Sequence, residues 1–324
     1  MEPWRTIREL IERDGAAALV TVAKAEGSTP REAGARMVVA RDGAITGSIG
    51  GGPLEWTAID LAREMTARGP GAEWKTVSLG PALDQCCGGR AEILHESFGT
   101  IDRDWIAPLA DYDGAEMTVR GKRSDKGAYR RRMVEEPVSA LTISRDASDT
   151  LIENFGERKT PLLLFGGGHV GRAIVAALAP LPFAVRWIDD RPDAFDGART
   201  LGAQTAVSVL PESELRDAAY GSFVLVMTHS HALDLALVTA ALPDPRFPYV
   251  GLIGSATKRA LFERRLAEFG VSGDAIAHLV CPIGVAGIAG KSPPVIAAAV
   301  AAELLLVRER TDAARNFKTE LALG

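Results

Sequence analysis

Cysteine is scarce in this chain. Three residues in 324, two of them adjacent, do not make a disulfide framework, so a reducing cytoplasm is the expected home. Long apolar runs are also missing: Val295 to Val307 is interrupted by Glu303 and falls short of the roughly 20 residues that cross a bilayer, so no membrane is expected. There is no excess of positive charge. A formal net charge of −5 argues against a nucleic-acid partner. The basic cluster Arg130, Arg131 and Arg132 is short and flanked by Glu135 and Glu136, which reads as solvated surface. The first residues, MEPWRTIRELIERDG, place Trp4, Ile7 and Ile11 at helical spacing, an amphipathic helix and not a secretion signal.

What is present is an ordinary soluble composition, 47% hydrophobic and 24% charged, with length enough for two cores. The clearest stretch runs from Leu162 to Asp190. Leu162 to Phe165 is a short apolar run suited to a strand buried on both faces, and Gly166, Gly168 and Gly171 follow at GxGxxG spacing. Gly166 would allow the tight turn, Gly168 the close approach of a pyrophosphate, and Gly171 the packing of helix Val170 to Leu178 on the sheet. A phosphate would sit at that helix's N-terminus, where free amides and the dipole favour an anion. A second strand, Phe183 to Ile188, leads to Asp189, placed to take a ribose hydroxyl, while Arg191 would suit a 2′-phosphate. The spacing predicts a Rossmann-type domain and leaves NAD, NADP and other dinucleotides open.

In the first half, Ala16 to Ala23 and Met37 to Ala40 read as strands, and Asp42-Gly43 as a hairpin turn. Gly47 to Gly52 form a glycine loop before a helix over Leu54 to Arg68. Without the Lys and Ser/Thr of a P-loop, this loop suggests no nucleotide hydrolysis, although its amides would suit a phosphate. Glu55 is open to two readings: a ligand contact, or an acid at the helix's positive end. Strands over Glu73 to Leu79 and Arg90 to Leu94 flank a loop with Cys86 and Cys87. Adjacent α-carbons lie about 3.8 Å apart, too close for the usual disulfide, which wants about 4.4 Å or more. Zinc would need more ligands than His95 adds, so a thiolate role is favoured: a soft-metal ligand, or a nucleophile and persulfide carrier.

Past Asp190, strands over Gln204 to Val209, Ser222 to Met227 and Tyr249 to Ile253 alternate with helices. Thr228, His229, Ser230 and His231 follow one strand end, where His229 and His231 would face the crevice for metal binding or proton transfer. Lys258 and Arg259, in a cationic first helical turn, are candidates for an anionic ligand, with plain solvated charge as the alternative. Ser292 caps a last helix opened by Pro293, with Ile296, Val300, Leu304 and Val307 as its buried stripe. The expected architecture is α/β: a C-terminal Rossmann-type doubly wound parallel sheet over 160–324, a smaller N-terminal α+β domain over 1–110, and a connector over 111–159 with poorly defined strands at Met117 to Arg120 and Val138 to Ile143.

Eight ordered segments resemble the xanthine dehydrogenase accessory protein family, XdhC/CoxI: GSTPREAGARM, GSIGGGPLEW, QCCGG, FGGGHVG, DDRPDAF, THSHALD, GLIGSATKR and CPIGVAGIAGKSPPVIAAAVAAELL. Gly167 stands where many relatives have alanine. The resemblance implies a protein that binds the molybdenum cofactor (molybdopterin), supports its sulfuration by a cysteine desulfurase, and delivers it to a molybdenum hydroxylase of the xanthine dehydrogenase type. With it, the expected cofactor contacts are Gly50, Gly51, Gly52, Glu55 and Gln85, then Gly166, Gly168, His169, Gly171, Asp189, His229 and His231. Cys86 and Cys87 are the expected sulfur-handling or metal-ligating pair. A homodimer is left open. The competing class is an NAD(P)-dependent oxidoreductase with His229 or His231 as acid/base; a cofactor-loading role fits better than turnover, because a convincing catalytic set in the other domain is missing.

Overall fold

The amphipathic pattern at the start forms α1 (Pro3–Asp14), which buries Trp4, Ile7 and Ile11 and ends on Gly15 in the left-handed conformation. The computed structural model describes residues 2–79, 88–112, 116–124, 127–135, 143–145, 148–156, 158–195 and 201–323. Two units, Met1–Arg158 and Lys159–Gly324, divide the chain.

In the first unit, β1 (Ala16–Glu26), β2 (Arg36–Ala40), β3 (Ile45–Gly47), β4 (Gly71–Ser78) and β5 (Arg90–Gly99) make an antiparallel sheet in the order β3-β2-β1-β5-β4. Side chains alternate along β1, so Ala18, Val20 and Val22 pack with α2 (Gly52–Arg68) on one face. Ala17 and Leu19 join α1 and α3 (Arg103–Tyr112) on the other. Residues 111–159, read from the sequence as a connector, instead carry β6 (Met117–Arg123), β7 (Tyr129–Val134), β8 (Ile143–Arg145) and β9 (Thr150–Phe155), an antiparallel sheet in the order β7-β6-β9-β8. Met117, Val119 and Phe155 belong to the same core as Trp4 and Phe98, and the Trp4 ring stands 5.0 Å from Phe155 and 5.8 Å from Phe98.

That core also holds charge. The Arg131 guanidinium, fully buried, donates to both oxygens of Glu96 at 2.9 and 2.7 Å and to Glu153 at 2.5 Å. Arg36 lies 3.6 Å from Glu153 and 3.8 Å over the Phe155 ring. Burial pushes the Arg36 guanidinium down and the Glu96 carboxyl up, the latter opposed by Arg131.

The second unit is a six-stranded parallel sheet of β10 (Thr160–Phe165), β11 (Phe183–Asp189), β12 (Gln204–Val207), β13 (Phe223–Val226), β14 (Tyr249–Leu252) and β15 (Leu279–Val280). Its order, β12-β11-β10-β13-β14-β15, is the 3-2-1-4-5-6 arrangement of Rossmann-type sheets, reversing direction between β10 and β13. One face packs against α5 (Glu212–Arg216), α6 (His231–Ala241), α7 (Ala256–Glu268) and α8 (Gly273–Ala277). The other takes α4 (His169–Leu178) and α9 (Pro293–Leu323), whose Val300 and Leu304 are buried with Ile296 and Val307 packed beside them. Glu303, the one charge in that apolar stretch, accepts from the Tyr249 hydroxyl at 2.6 Å and the Gly284 amide at 2.9 Å. Among the described residues no helix is long and apolar enough to cross a membrane.

Candidate functional site

In the second unit the candidate residues lie where a doubly wound sheet puts its ligands, at the carboxyl ends of the strands. Gly166 follows β10 at φ +123°, and a Cβ there would overlap the Met227 carbonyl; one at Gly171 would overlap the Gly166 carbonyl. Both glycines therefore let backbone meet backbone, as their spacing predicts. Gly168 differs: φ is −72° and nothing lies within 4 Å of a Cβ. It precedes an α4 whose N-terminus has no side-chain cap and no acid in its first turn. Amides and dipole are left for an anion.

Asp189 does other work than expected. Its Oδ2 accepts from the Gly167 amide at 2.5 Å and from Arg191 Nη2 at 3.1 Å; its Oδ1 accepts from the Arg191 amide at 3.0 Å and Nε at 2.9 Å. Four bonds fill the roughly four acceptor positions of a carboxylate, leaving none for a ribose hydroxyl while Arg191 stays in place. Burial opposes the charge, but these bonds outweigh it and hold the carboxyl at about 2. A Cβ at Gly167 would overlap Ala194, so in this backbone the third glycine is required where alanine was expected of relatives.

The loop after β13 is fixed by a residue that sequence reasoning passed over. Asp234, fully buried on α6, accepts from the Thr228 amide at 3.0 Å and hydroxyl at 2.7 Å through Oδ1, and from Lys258 Nζ at 2.7 Å through Oδ2. Lys258 also donates to the Ile253 carbonyl at 2.9 Å, and Arg259 to the Cys281 carbonyl at 3.2 Å. The loops after β13, β14 and β15 are thereby laced together. Lys258, read as a candidate for an anionic ligand, is neutralised internally. The available signal was an acid in the first turn of a helix opened by Ser230, which caps α6 through the Leu233 amide. Cys281 is buried, and burial pushes its thiol up. His169, His229 and His231 are exposed at this edge of the sheet. Among the described residues, no three His, Cys, Asp or Glu side chains are grouped to hold a metal.

In the first unit the glycine loop Gly47 to Gly52 is already occupied by the protein itself. Glu55 Oε2 accepts from Ser48 Oγ at 2.6 Å, the Ile49 amide at 2.9 Å and the Gly51 amide at 3.1 Å. Burial would raise this carboxyl, and the hydrogen bonds led by Ser48 lower it on balance. Glu55 thus spends Oε2 on the loop that precedes its helix. Of the amides expected for a phosphate, that of Gly50 donates to Ser48 Oγ at 3.1 Å and that of Gly51 to Glu55, so those two are already used. Gly50, at φ +127°, would bring a Cβ against Pro30, so this loop packs on the GSTPREAG segment. Gly89 in turn meets the carbonyls of Glu26 and Ser28, and the Leu79 amide donates to its carbonyl at 2.8 Å. Both flanks of the cysteine loop are thus anchored beside residues 26–30. Gln85, Cys86 and Cys87 themselves lie outside the described residues. His95, the neighbouring zinc candidate, is buried within β5 and held at about 4, chiefly by burial and then by Lys75.

Sheet order, glycine turn and open helix end define a Rossmann-type domain carried beside an antiparallel α+β domain. The family comparisons agree in both halves: residues 162–304 match the XdhC Rossmann domain and residues 10–79 the XdhC and CoxI family. The chain belongs to the XdhC and CoxI family. It is 28% identical over 305 residues to the uncharacterized protein YqeB of Escherichia coli (strain K12), an alignment that takes 93% of this chain but only 45% of that longer protein. It is 24% identical over 333 residues to a probable xanthine dehydrogenase subunit of Bacillus subtilis (strain 168), covering 93% and 96% of the two chains. A crystal structure of a xanthine dehydrogenase from Bacillus halodurans shares the fold, with a TM-score of 0.75 at 22% identity over 96% of each chain.

Proposed function

We propose that this chain is an accessory protein of a xanthine dehydrogenase-type molybdenum hydroxylase: it binds the molybdenum cofactor, supports sulfuration by a cysteine desulfurase, and passes the cofactor to its client in the cytoplasm. Family membership in both halves carries this reading. The residues at hand fit the cofactor's anionic end at one place and not at another. The uncapped start of α4, with Gly168 open beside it, suits a phosphate, whereas the loop amides around Glu55 are spent. Gly168, His169 and the α4 amides would hold the phosphate, and the thiols of Cys86 and Cys87 would ligate metal or carry sulfur. The bound cofactor supplies the molybdenum and its sulfur ligands; the chain supplies binding, orientation and thiols.

The oxidoreductase alternative loses support on one observation. Asp189 and Arg191, the side chains that would read a ribose hydroxyl or a 2′-phosphate, are bonded to each other. The test is loading of the client hydroxylase in a strain lacking the native accessory protein, with bound molybdenum and client activity as readouts. Cys86→Ser/Cys87→Ser protein should fold and meet the client yet leave it low in the active sulfurated cofactor. A double variant that loads as well as wild type would make these thiols structural and remove the sulfuration reading.

A further inference from the structure

The basic triplet at 130–132 is not one solvated surface. Arg131 points into the core and is paired with Glu96 and Glu153. Arg130 and Arg132 point the other way, where β7 lies against β6, and the register sets Arg132 directly opposite Arg120 and Arg130 directly opposite Lys122. Two like-charged pairs thus stand side by side on one sheet face, an arrangement that costs stability by itself. These four cations, with Ser148, Thr150 and Ile152 of the adjoining strand and its approach, line a cavity of about 670 Å³ to which Arg131 also contributes and, among the described residues, no carboxylate does. Lys122, Arg130 and Arg132 are exposed and make no ion pair with any described residue. In a chain of net charge −5, three such cations gathered in one concavity are a local rule broken, as proteins do at functional sites.

We infer that this face of the first unit is a binding site for a small diphosphate-bearing ligand. Cross-strand neighbours sit about 5 Å apart and alternate residues along a strand roughly 7 Å apart, so the four cations form a compact grid. Two linked phosphates can meet all of it at once. Guanidinium forks suit phosphate oxygens, and the cavity has the size of small-molecule sites rather than of a protein footprint. This site is separate from the α4 turn and does not depend on the accessory reading.

The test is calorimetric titration of the full chain at low salt with inorganic pyrophosphate and with ADP. Wild type should bind pyrophosphate, and Lys122→Gln/Arg130→Gln should weaken that binding at least tenfold. The same tenfold difference should be found when the cation variants are compared in a Gly168→Val background, where the α4 turn is blocked, so that binding at that turn is not read as binding here. Tighter binding of ADP than of pyrophosphate would identify a nucleotide as the source, and equal binding a free diphosphate. Thermal denaturation separates site from scaffold: removing one cation of a like-charged pair should leave the midpoint equal or higher, whereas a structural role would lower it. Arg132→Gln serves the same purpose if the double variant does not fold. The proposal is overturned if wild type does not bind pyrophosphate, if the variants bind as well as wild type, or if only polyglutamate or single-stranded oligonucleotide binds.

Discussion

Both units contain a strand, a glycine turn and a helix in succession, yet the two turns meet opposite ends. In the first, three successive glycines at positive φ wrap the loop around Glu55, and the amides of Ile49, Gly50 and Gly51 are satisfied from within the chain. In the second, the amides at the start of α4 have no side-chain cap, the first turn has no acid, and Gly168 faces open space. Successive amides make an anion site in either case; what differs is whether the helix that follows also supplies an anion, since at the second turn Asp189, from the next strand, takes only the Gly167 amide. A carboxylate within a few residues of a glycine loop is therefore a sign of a closed turn, and its absence a sign of an available one.

The comparison is broken most sharply at Gly166. Gly166→Ala puts a side chain at φ +123° against the Met227 carbonyl and should cost at least about 3 kcal/mol, read as loss of the folded second unit in urea denaturation. A smaller effect is expected at the closed turn. Glu55→Ala leaves Ser48, the buried Ile49 amide and the half-buried Gly51 amide without their charged acceptor and should cost about 2–4 kcal/mol. Added phosphate or acetate should recover part of that loss by entering the vacated nest, and a stability insensitive to these anions would show that the loop cannot serve as a site even when emptied. The smallest effect on stability belongs to Gly168→Val. With ordinary φ and free space, it should shift stability by less than about 1 kcal/mol while weakening whatever phosphate-bearing ligand the α4 turn holds. Unchanged binding would make the open turn architectural.

The second unit was legible because its strands are buried on both faces and so appear as uninterrupted apolar runs bounded by glycine, as at Leu162 to Phe165. The sheet of β6 to β9 was legible only as a weak strand at Met117 to Arg120, which begins β6, for a physical reason. Two of its inward positions, Arg131 and Glu153, are charged and satisfy each other, which erases the alternation that marks a half-buried strand. Asp189 shows a different limit: an acid at the end of the second strand was legible, but whether it faces a ligand or its own turn depends on Arg191 two residues on. Glu55 was visible with both of its readings, but its bonds to Ser48, Ile49 and Gly51 were not, because they depend on the loop's backbone turning back on the helix. The thiols of Cys86 and Cys87 stay where the sequence put them, outside the described residues.

The buried charges of the first unit carry a consequence for how this protein can be taken apart or recombined. Each sheet brings one arginine and one glutamate, Arg36 and Glu96 from the first, Arg131 and Glu153 from the second, and the two-bond bridge, Arg131 to Glu96, runs between the sheets. A buried pair stripped of one partner leaves an uncompensated charge in apolar surroundings, a loss of about 3–5 kcal/mol. Neither sheet is thus a transferable part: grafting residues 1–110 onto another scaffold would strand Glu96, and only a junction near Arg158 moves the four charges together.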